Sequence, residues 1–159
     1  MAETLIKTGT TKEELYQEFL VQIKHLVGNE SNRVANLANV SAGLKEFFHF
    51  FWVGFYLVED EELVLGPFQG PVACTRIAYG RGVCGAAWQK NSSLLVPDVE
   101  KFPGHIACSS LSKSEVVVPI RKGEKIIGVL DVDSDELNDF DEVDLNHLEE
   151  LCAWLGTVL

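Results

Sequence analysis

Apolar residues recur at helical spacing near both ends of the chain. The segment Thr11-Lys-Glu-Glu14 is typical of a capping box, so a helix is predicted to start after Thr11 and to end near Gly28. A second helix is predicted from about Asn32 to Phe48, and its apolar face would contain Val34, Leu37, Ala38, Ser41, Leu44 and Phe48. A final helix is predicted to begin at Asp141.

Between these helices the pattern is typical of strands and turns. Strands are predicted at 52–58, from 63, at 73–77 and at 94–96, with a short helix at 85–89 and a hairpin formed by 115–120 and 126–132. Residues 98–114 show no periodicity, and so long a loop is usually functional. The order predicts an α+β fold, in which an antiparallel sheet carries the terminal helices on one face and a loop-covered pocket on the other.

Composition and charge limit the classes of partner that this chain is expected to bind. A chain of 159 residues fits one domain, over 1–159, and its formal charge of −11 argues against nucleic acid and anionic membranes. The chain has no apolar run of the roughly 18–20 residues that span a bilayer, and its N-terminus lacks the features of a signal peptide. We therefore expect a cytoplasmic protein.

The four cysteines are the first candidates for chemistry. They occupy positions 74, 84, 108 and 152, without a CxxC motif, and structural disulfides are not expected in a reducing compartment. Cys108 lies in the long loop, while Cys74 and Cys84 lie in segments rich in Gly and Arg. Three cysteines within 74–108 suggest a nucleophile with a resolving partner, as thiol–disulfide exchange requires. Cys152 lies on the apolar side of the last helix and is predicted to be a core residue.

Carboxyl and aromatic side chains add to this set. The predicted hairpin can bring Glu115, Asp131 and Asp133 together, either as exposed strand ends or as a buried cluster. In a cluster they would raise one another's pKa, so that one could donate a proton to a substrate oxygen near neutral pH. Trp52 and Tyr56 share one face of a strand, as core residues or as an apolar wall with the indole N–H as its polar group.

Seven sequence blocks together resemble one family, the free methionine-(R)-sulfoxide reductases, which are stand-alone GAF-domain enzymes. The blocks occur in order over most of the chain, and the combination is specific, although each block alone is weak. They are Trp52-Val-Gly-Phe-Tyr56, Leu65-Gly-Pro-Phe-Gln-Gly70, Ala73-Cys-Thr-Arg76, Gly80-Arg-Gly-Val-Cys-Gly85, Gly104-His-Ile-Ala-Cys108, Ser114-Glu115 and Gly128-Val-Leu-Asp-Val-Asp-Ser134.

The resemblance implies a role for each matching residue. Cys108 would attack the sulfoxide sulfur and become a sulfenic acid, and Cys74 would then form a disulfide with it that thioredoxin reduces. Cys84 would be an auxiliary or alternative resolving thiol. Glu115, Asp131 and Asp133 would hold the sulfoxide oxygen and the substrate amine, with one of them supplying the proton, and Trp52 and Tyr56 would surround the methyl group. The resemblance implies neither a metal nor an organic cofactor, and it is compatible with a homodimer.

Three other interpretations remain open at this stage. The chain could be a GAF ligand sensor without catalysis, although a sensor has no need of Cys74 and Cys108 as a redox pair. It could be a thiol-based redox switch, which would show no stereochemical preference for a sulfoxide. The weakest alternative is a zinc protein, with His105 and Cys108 joined by Cys74 or Cys84.

Overall fold

The helices begin where the sequence supplies caps. The computed structural model describes residues 4–106 and 108–159, with helices α1 (Lys12–Val27), α2 (Arg33–Phe48), α3 (Gly82–Lys90) and α4 (Glu142–Val158). Thr11 and Asp141 each form a capping box, at the starts of α1 and α4, and Asn32 caps α2. None of the helices in these ranges has the length and hydropathy needed to cross a bilayer.

In these ranges, six strands form one antiparallel sheet in the spatial order β3-β2-β1-β6-β5-β4. The strands are β1 (Trp52–Glu59), β2 (Glu62–Gln69), β3 (Arg76–Ala78), β4 (Leu94–Val96), β5 (Ser114–Lys122) and β6 (Lys125–Ser134). Long strands β1, β6 and β5 occupy the middle, where apolar residues can be buried on both faces. The predicted α+β class and order of elements are confirmed.

The two faces of the sheet carry different layers. Side chains of α1, α2 and α4 pack on one face against alternate residues of the central strands, such as Phe55, Val118 and Leu130. On the other face, α3 and the loops cover Tyr56, Val117 and Val129. The predicted arrangement, with terminal helices on one face and a covered pocket on the other, is therefore confirmed.

Two local predictions are corrected. The predicted apolar face of α2 is partly wrong, because Val34 and Ala38 are exposed while Val40 and Phe47 are buried. The third strand begins at Arg76 rather than at residue 73, so Cys74 precedes it.

Helix α3 is longer than predicted. It begins at Gly82. The φ angles of Gly80 and Gly82 are 74° and 60°, and glycine adopts such positive values in a tight turn at little steric cost. Cys84 is consequently a buried helical residue and does not lie in irregular structure.

Candidate active site

Cys74 and Cys108 form a disulfide, with 5.3 Å between their Cα atoms. Cys74 lies between β2 and β3, and Cys108 lies in the long loop that crosses the same face of the sheet. Both residues are partly exposed, whereas Cys84 and Cys152 are buried and unpaired. The structure thus separates the four cysteines into an accessible pair and two enclosed thiols.

A small cavity lies beneath this disulfide. Its volume is about 40 Å³. It is enclosed by β1, the start of α3, the hairpin and the loop, and its lining includes Trp52, Tyr56, Cys84, Cys108, Glu115, Asp131 and Asp133. All the predicted site residues except Cys74 line this cavity, and Cys74 is bonded to Cys108 at its edge.

Three carboxyl groups converge because of strand register. Glu115 of β5 pairs with Asp133 of β6, and Asp131 lies two residues away on the same face of β6. Glu115 and Asp131 are only 5% and 7% exposed, so these residues are not exposed strand ends. The structure therefore places three acidic groups side by side in a poorly hydrated site.

This crowding favours the protonated forms. Burial raises the pKa of Glu115 well above its ordinary value, and the charges of Asp131 and Asp133 add to the shift. Burial also raises the pKa of Asp131 well above its ordinary value, and the charge of Asp133 adds to the shift. Burial raises the pKa of Asp133 to about 6, against a hydrogen bond from Ser112 that acts in the opposite direction. The cluster can therefore retain protons at neutral pH.

Cys84 lies against the carboxyl groups. Its Sγ is 4.0 Å from Oε1 of Glu115, and burial raises the pKa of this thiol well above its ordinary value, with the charges of Asp131 and Glu115 adding to the shift. Because the thiolate is the reactive form, Cys84 is a poor nucleophile in this position.

Metal binding through the predicted zinc set does not fit this form of the protein. Cys74 and Cys108 are bonded to each other, so neither offers a thiolate. Cys84, Glu115 and Asp131 each have a potential ligand atom within 4.8 Å of the others, and this is the arrangement in the described chain that could hold an ion.

Trp52 and Tyr56 form an apolar wall, and their polar atoms are already occupied. Their rings stack with centroids 6.1 Å apart, and both residues are almost fully buried. The indole N–H of Trp52 donates to the carbonyl oxygen of Pro71 at 3.0 Å, and the Tyr56 hydroxyl donates to that of Cys74 at 3.0 Å. The expectation that the indole N–H faces a ligand is therefore wrong, because this donor holds the segment that carries Cys74.

Two polar residues of the site were missed from the sequence. Ser112 donates a hydrogen bond to Asp133, and a serine in a loop rich in serine gives no signal of such a contact. His105 lies with Nε2 3.9 Å from Oε2 of Glu115, and burial lowers its pKa, which favours the neutral ring. The sequence indicates His105 only as a zinc ligand, and its position beside Glu115 is not predicted.

Known proteins share this fold over nearly the whole chain. A family model for the GAF domain matches residues 37–159. GAF domain-containing protein A from Dictyostelium discoideum is 65% identical over 156 residues, which cover 98% of this chain and 99% of that protein. Free methionine-R-sulfoxide reductase from Escherichia coli is 46% identical over 149 residues, which cover 93% of this chain and 90% of that protein.

A solved structure is similar at the level of coordinates. The X-ray structure of free methionine-R-sulfoxide reductase from Neisseria meningitidis in complex with its substrate has a TM-score of 0.97 and 53% sequence identity, covering 99% of this chain and 95% of that one.

Proposed function

Because this chain belongs to the free methionine-R-sulfoxide reductases, a family of GAF-domain enzymes, we propose that it reduces free methionine-(R)-sulfoxide with Cys108 as the nucleophile. The observation that carries the proposal is the partly exposed Cys74–Cys108 disulfide directly above a cavity lined by three carboxyl groups. This pairing joins a redox couple to a proton source. Sulfoxide reduction requires both.

The reaction begins with the reduced dithiol. The Cys108 thiolate attacks the sulfoxide sulfur while a carboxyl group protonates the sulfoxide oxygen. The sulfur–oxygen bond of the substrate breaks and the oxygen passes as a hydroxyl group to the Cys108 sulfur, which becomes a sulfenic acid. The substrate sulfur gains the two electrons that Cys108 loses, and methionine is released. The Cys74 thiol then attacks the Cys108 sulfur, so that water departs and the disulfide forms.

The acidic cluster supplies the proton and holds the substrate. Protonated Glu115 and Asp131 are suited to donation, because their raised pKa values keep protons available near neutral pH. Oδ1 of Asp131 is the buried side-chain polar atom in the described residues that has no hydrogen-bond partner. A substrate ammonium or protonated oxygen would satisfy this atom, since buried polar groups are normally bonded.

Trp52 and Tyr56 surround the methyl end of the substrate in this proposal. Both rings are fixed by hydrogen bonds at their edges, so they present apolar faces to the cavity. A cavity enclosed by strand, helix and loop suits a free amino acid better than a residue within a polypeptide. We therefore expect a peptide attached to either end of the substrate to abolish turnover.

Cys74 is the resolving thiol, and thioredoxin regenerates the dithiol. Two observations favour Cys74 over Cys84: its bond to Cys108, and the raised pKa of the buried Cys84 thiol. The disulfide is partly exposed, so a protein thiol can reach it. Neither formation of the disulfide nor its reduction by thioredoxin requires a metal or an organic cofactor.

The test is NADPH consumption with thioredoxin and thioredoxin reductase, with free L-methionine-(R)-sulfoxide or its S epimer as substrate. We expect turnover of the R epimer alone, abolished in Cys108→Ser and retained in the matched control Cys152→Ser, whose thiol lies in the core on the opposite face of the sheet. Folded, reduced protein that turned over neither epimer would contradict the proposal and would favour a GAF ligand sensor.

A further inference from the structure

We propose that the surface around the Cys74–Cys108 disulfide is a docking surface for a dithiol protein of the thioredoxin class, with Val72 and Leu111 as its apolar contacts. The inference rests on the proposed function, because that function forms the disulfide once in every turnover. It goes further by assigning the surface that the reductant recognises.

Two strongly exposed apolar side chains flank the two cysteines. Val72 is 87% exposed, the most exposed large apolar side chain in the described chain, and it lies two residues before Cys74 while bordering the same cavity as Cys108. Leu111 is 60% exposed and lies three residues after Cys108. Ser109 and Ser112, which lie before and after it in the sequence, both line the cavity. Exposed apolar groups around a reactive bond supply contact area to an incoming partner.

The charge of these segments differs from that of the whole chain. The chain has 24 acidic and 13 basic residues, yet segments 71–91 and 102–114 contain no Asp or Glu. Their basic residues are Arg81, Lys90, Lys113 and Arg76, of which Arg76 is paired with Glu62 at 3.0 Å. A partner with an acidic docking surface is repelled by most of this protein and least repelled here, so the charge pattern orients the encounter.

The exchange that follows is balanced in atoms and electrons. A thiolate of the partner attacks one sulfur of the disulfide, so that a mixed disulfide forms and the other cysteine leaves as a thiolate. The partner's second thiol attacks the mixed disulfide and releases the reduced dithiol of this chain. The two electrons lost by the partner are those gained here, and the contact must last only through these two steps.

The test follows disulfide reduction without any sulfoxide. Oxidised protein is reduced either by thioredoxin, with thioredoxin reductase and NADPH, or by dithiothreitol, which is small and needs no docking surface. The variants are Leu111→Ser and the double variant Val72→Ser with Leu111→Ser. The matched control is Val34→Ser, an equally apolar and 62% exposed position on α2.

We expect the ratio of the thioredoxin rate to the dithiothreitol rate to fall about tenfold in the double variant, the effect of losing roughly one buried aliphatic contact. Leu111→Ser should lower the ratio by less, and Val34→Ser should leave it unchanged. An unchanged ratio in the double variant would overturn the assigned surface, whether both rates stay the same or both fall together.

If dithiothreitol reduced the wild-type disulfide and thioredoxin did not, the assignment of a thioredoxin-class partner would be overturned. Sulfoxide turnover driven by dithiothreitol, measured separately, tests the proposed function by itself. The failures of the two proposals are therefore distinguishable.

Discussion

Replacement of Asp133 by asparagine tests whether the carboxyl cluster destabilises the fold at neutral pH. Burial raises the pKa of Asp133 from its ordinary value of 3.8 to about 6. Between these values the folded protein binds a proton more tightly than the unfolded chain does, so the free energy of unfolding falls as the pH rises from about 4 to about 6. The shift corresponds to about 2–3 kcal/mol, and the stability of the variant relative to wild type should rise by about that amount between pH 4 and pH 7.

The assay is urea denaturation of the disulfide forms of wild type and Asp133→Asn, each at about pH 4 and at pH 7. Asparagine is neutral at both pH values and close in shape to a protonated carboxyl group. Effects that do not depend on pH, such as an altered contact with Ser112, cancel when the stability difference at pH 4 is subtracted from that at pH 7. Loss of the Asp133 charge also relieves Asp131, which acts in the same direction.

Asp98→Asn provides a control in which the stability difference should hardly change. A hydrogen bond from Lys101 lowers the pKa of the partly exposed Asp98 carboxyl below its ordinary value of 3.8, so the stabilising contribution of its ionised form is present above that pH and is lost only as the pH falls below it. The stability difference between Asp98→Asn and wild type should therefore be nearly the same at pH 4 and at pH 7. If the stability difference between Asp133→Asn and wild type were the same at both pH values, the raised pKa of Asp133 would be refuted.

Other variants probe the remaining parts of the molecule. Cys84→Ser should retain most of its turnover with thioredoxin, because the buried thiol stays protonated, and a loss equal to that of Cys74→Ser would contradict this. Gly54→Ala should lower the free energy of unfolding by about 1–3 kcal/mol and disturb the Trp52 fluorescence. Its new Cβ would lie 2.7 Å from the Trp52 ring and 2.9 Å from the Phe68 Cα, and unchanged urea transitions would argue against this crowding. Thr11→Ala should lower the free energy of unfolding by about 1 kcal/mol, because the hydrogen bond from the Glu14 N–H is lost, and a smaller urea midpoint should report it.

Sequence patterns predicted those features that depend on near neighbours. The capping box of α1, the start of α4 at Asp141 and the hairpin of β5 and β6 are local, so their residues determine them directly. The apolar face of α2 was partly wrong because burial there depends on which side the sheet and α1 occupy, and Val34 lies outside that contact.

The candidate site was predictable in its residues and less so in its contacts. Alternation along β6 placed Asp131 and Asp133 on one face, and the hairpin brought Glu115 beside them. The bond from Ser112 to Asp133 and that from Trp52 to Pro71 join residues distant in sequence. Both depend on how loops fold over the sheet, and no periodicity encodes such contacts.

The two cysteines of the disulfide are attached to the sheet in different ways. The rings of Trp52 and Tyr56 belong to the central strand β1, and they hold the carbonyl oxygens of Pro71 and Cys74, so Cys74 is anchored to the middle of the sheet. The Cys108 side differs, since the Cys108 N–H donates to Ile106 and the Leu111 N–H to Ser109, and the loop reaches the sheet only farther along, where Ser112 donates to Asp133. When the bond between the sulfurs opens, we expect displacement to fall on Cys108 rather than on Cys74. The aromatic wall formed by Trp52 and Tyr56 should then keep one shape in both redox states.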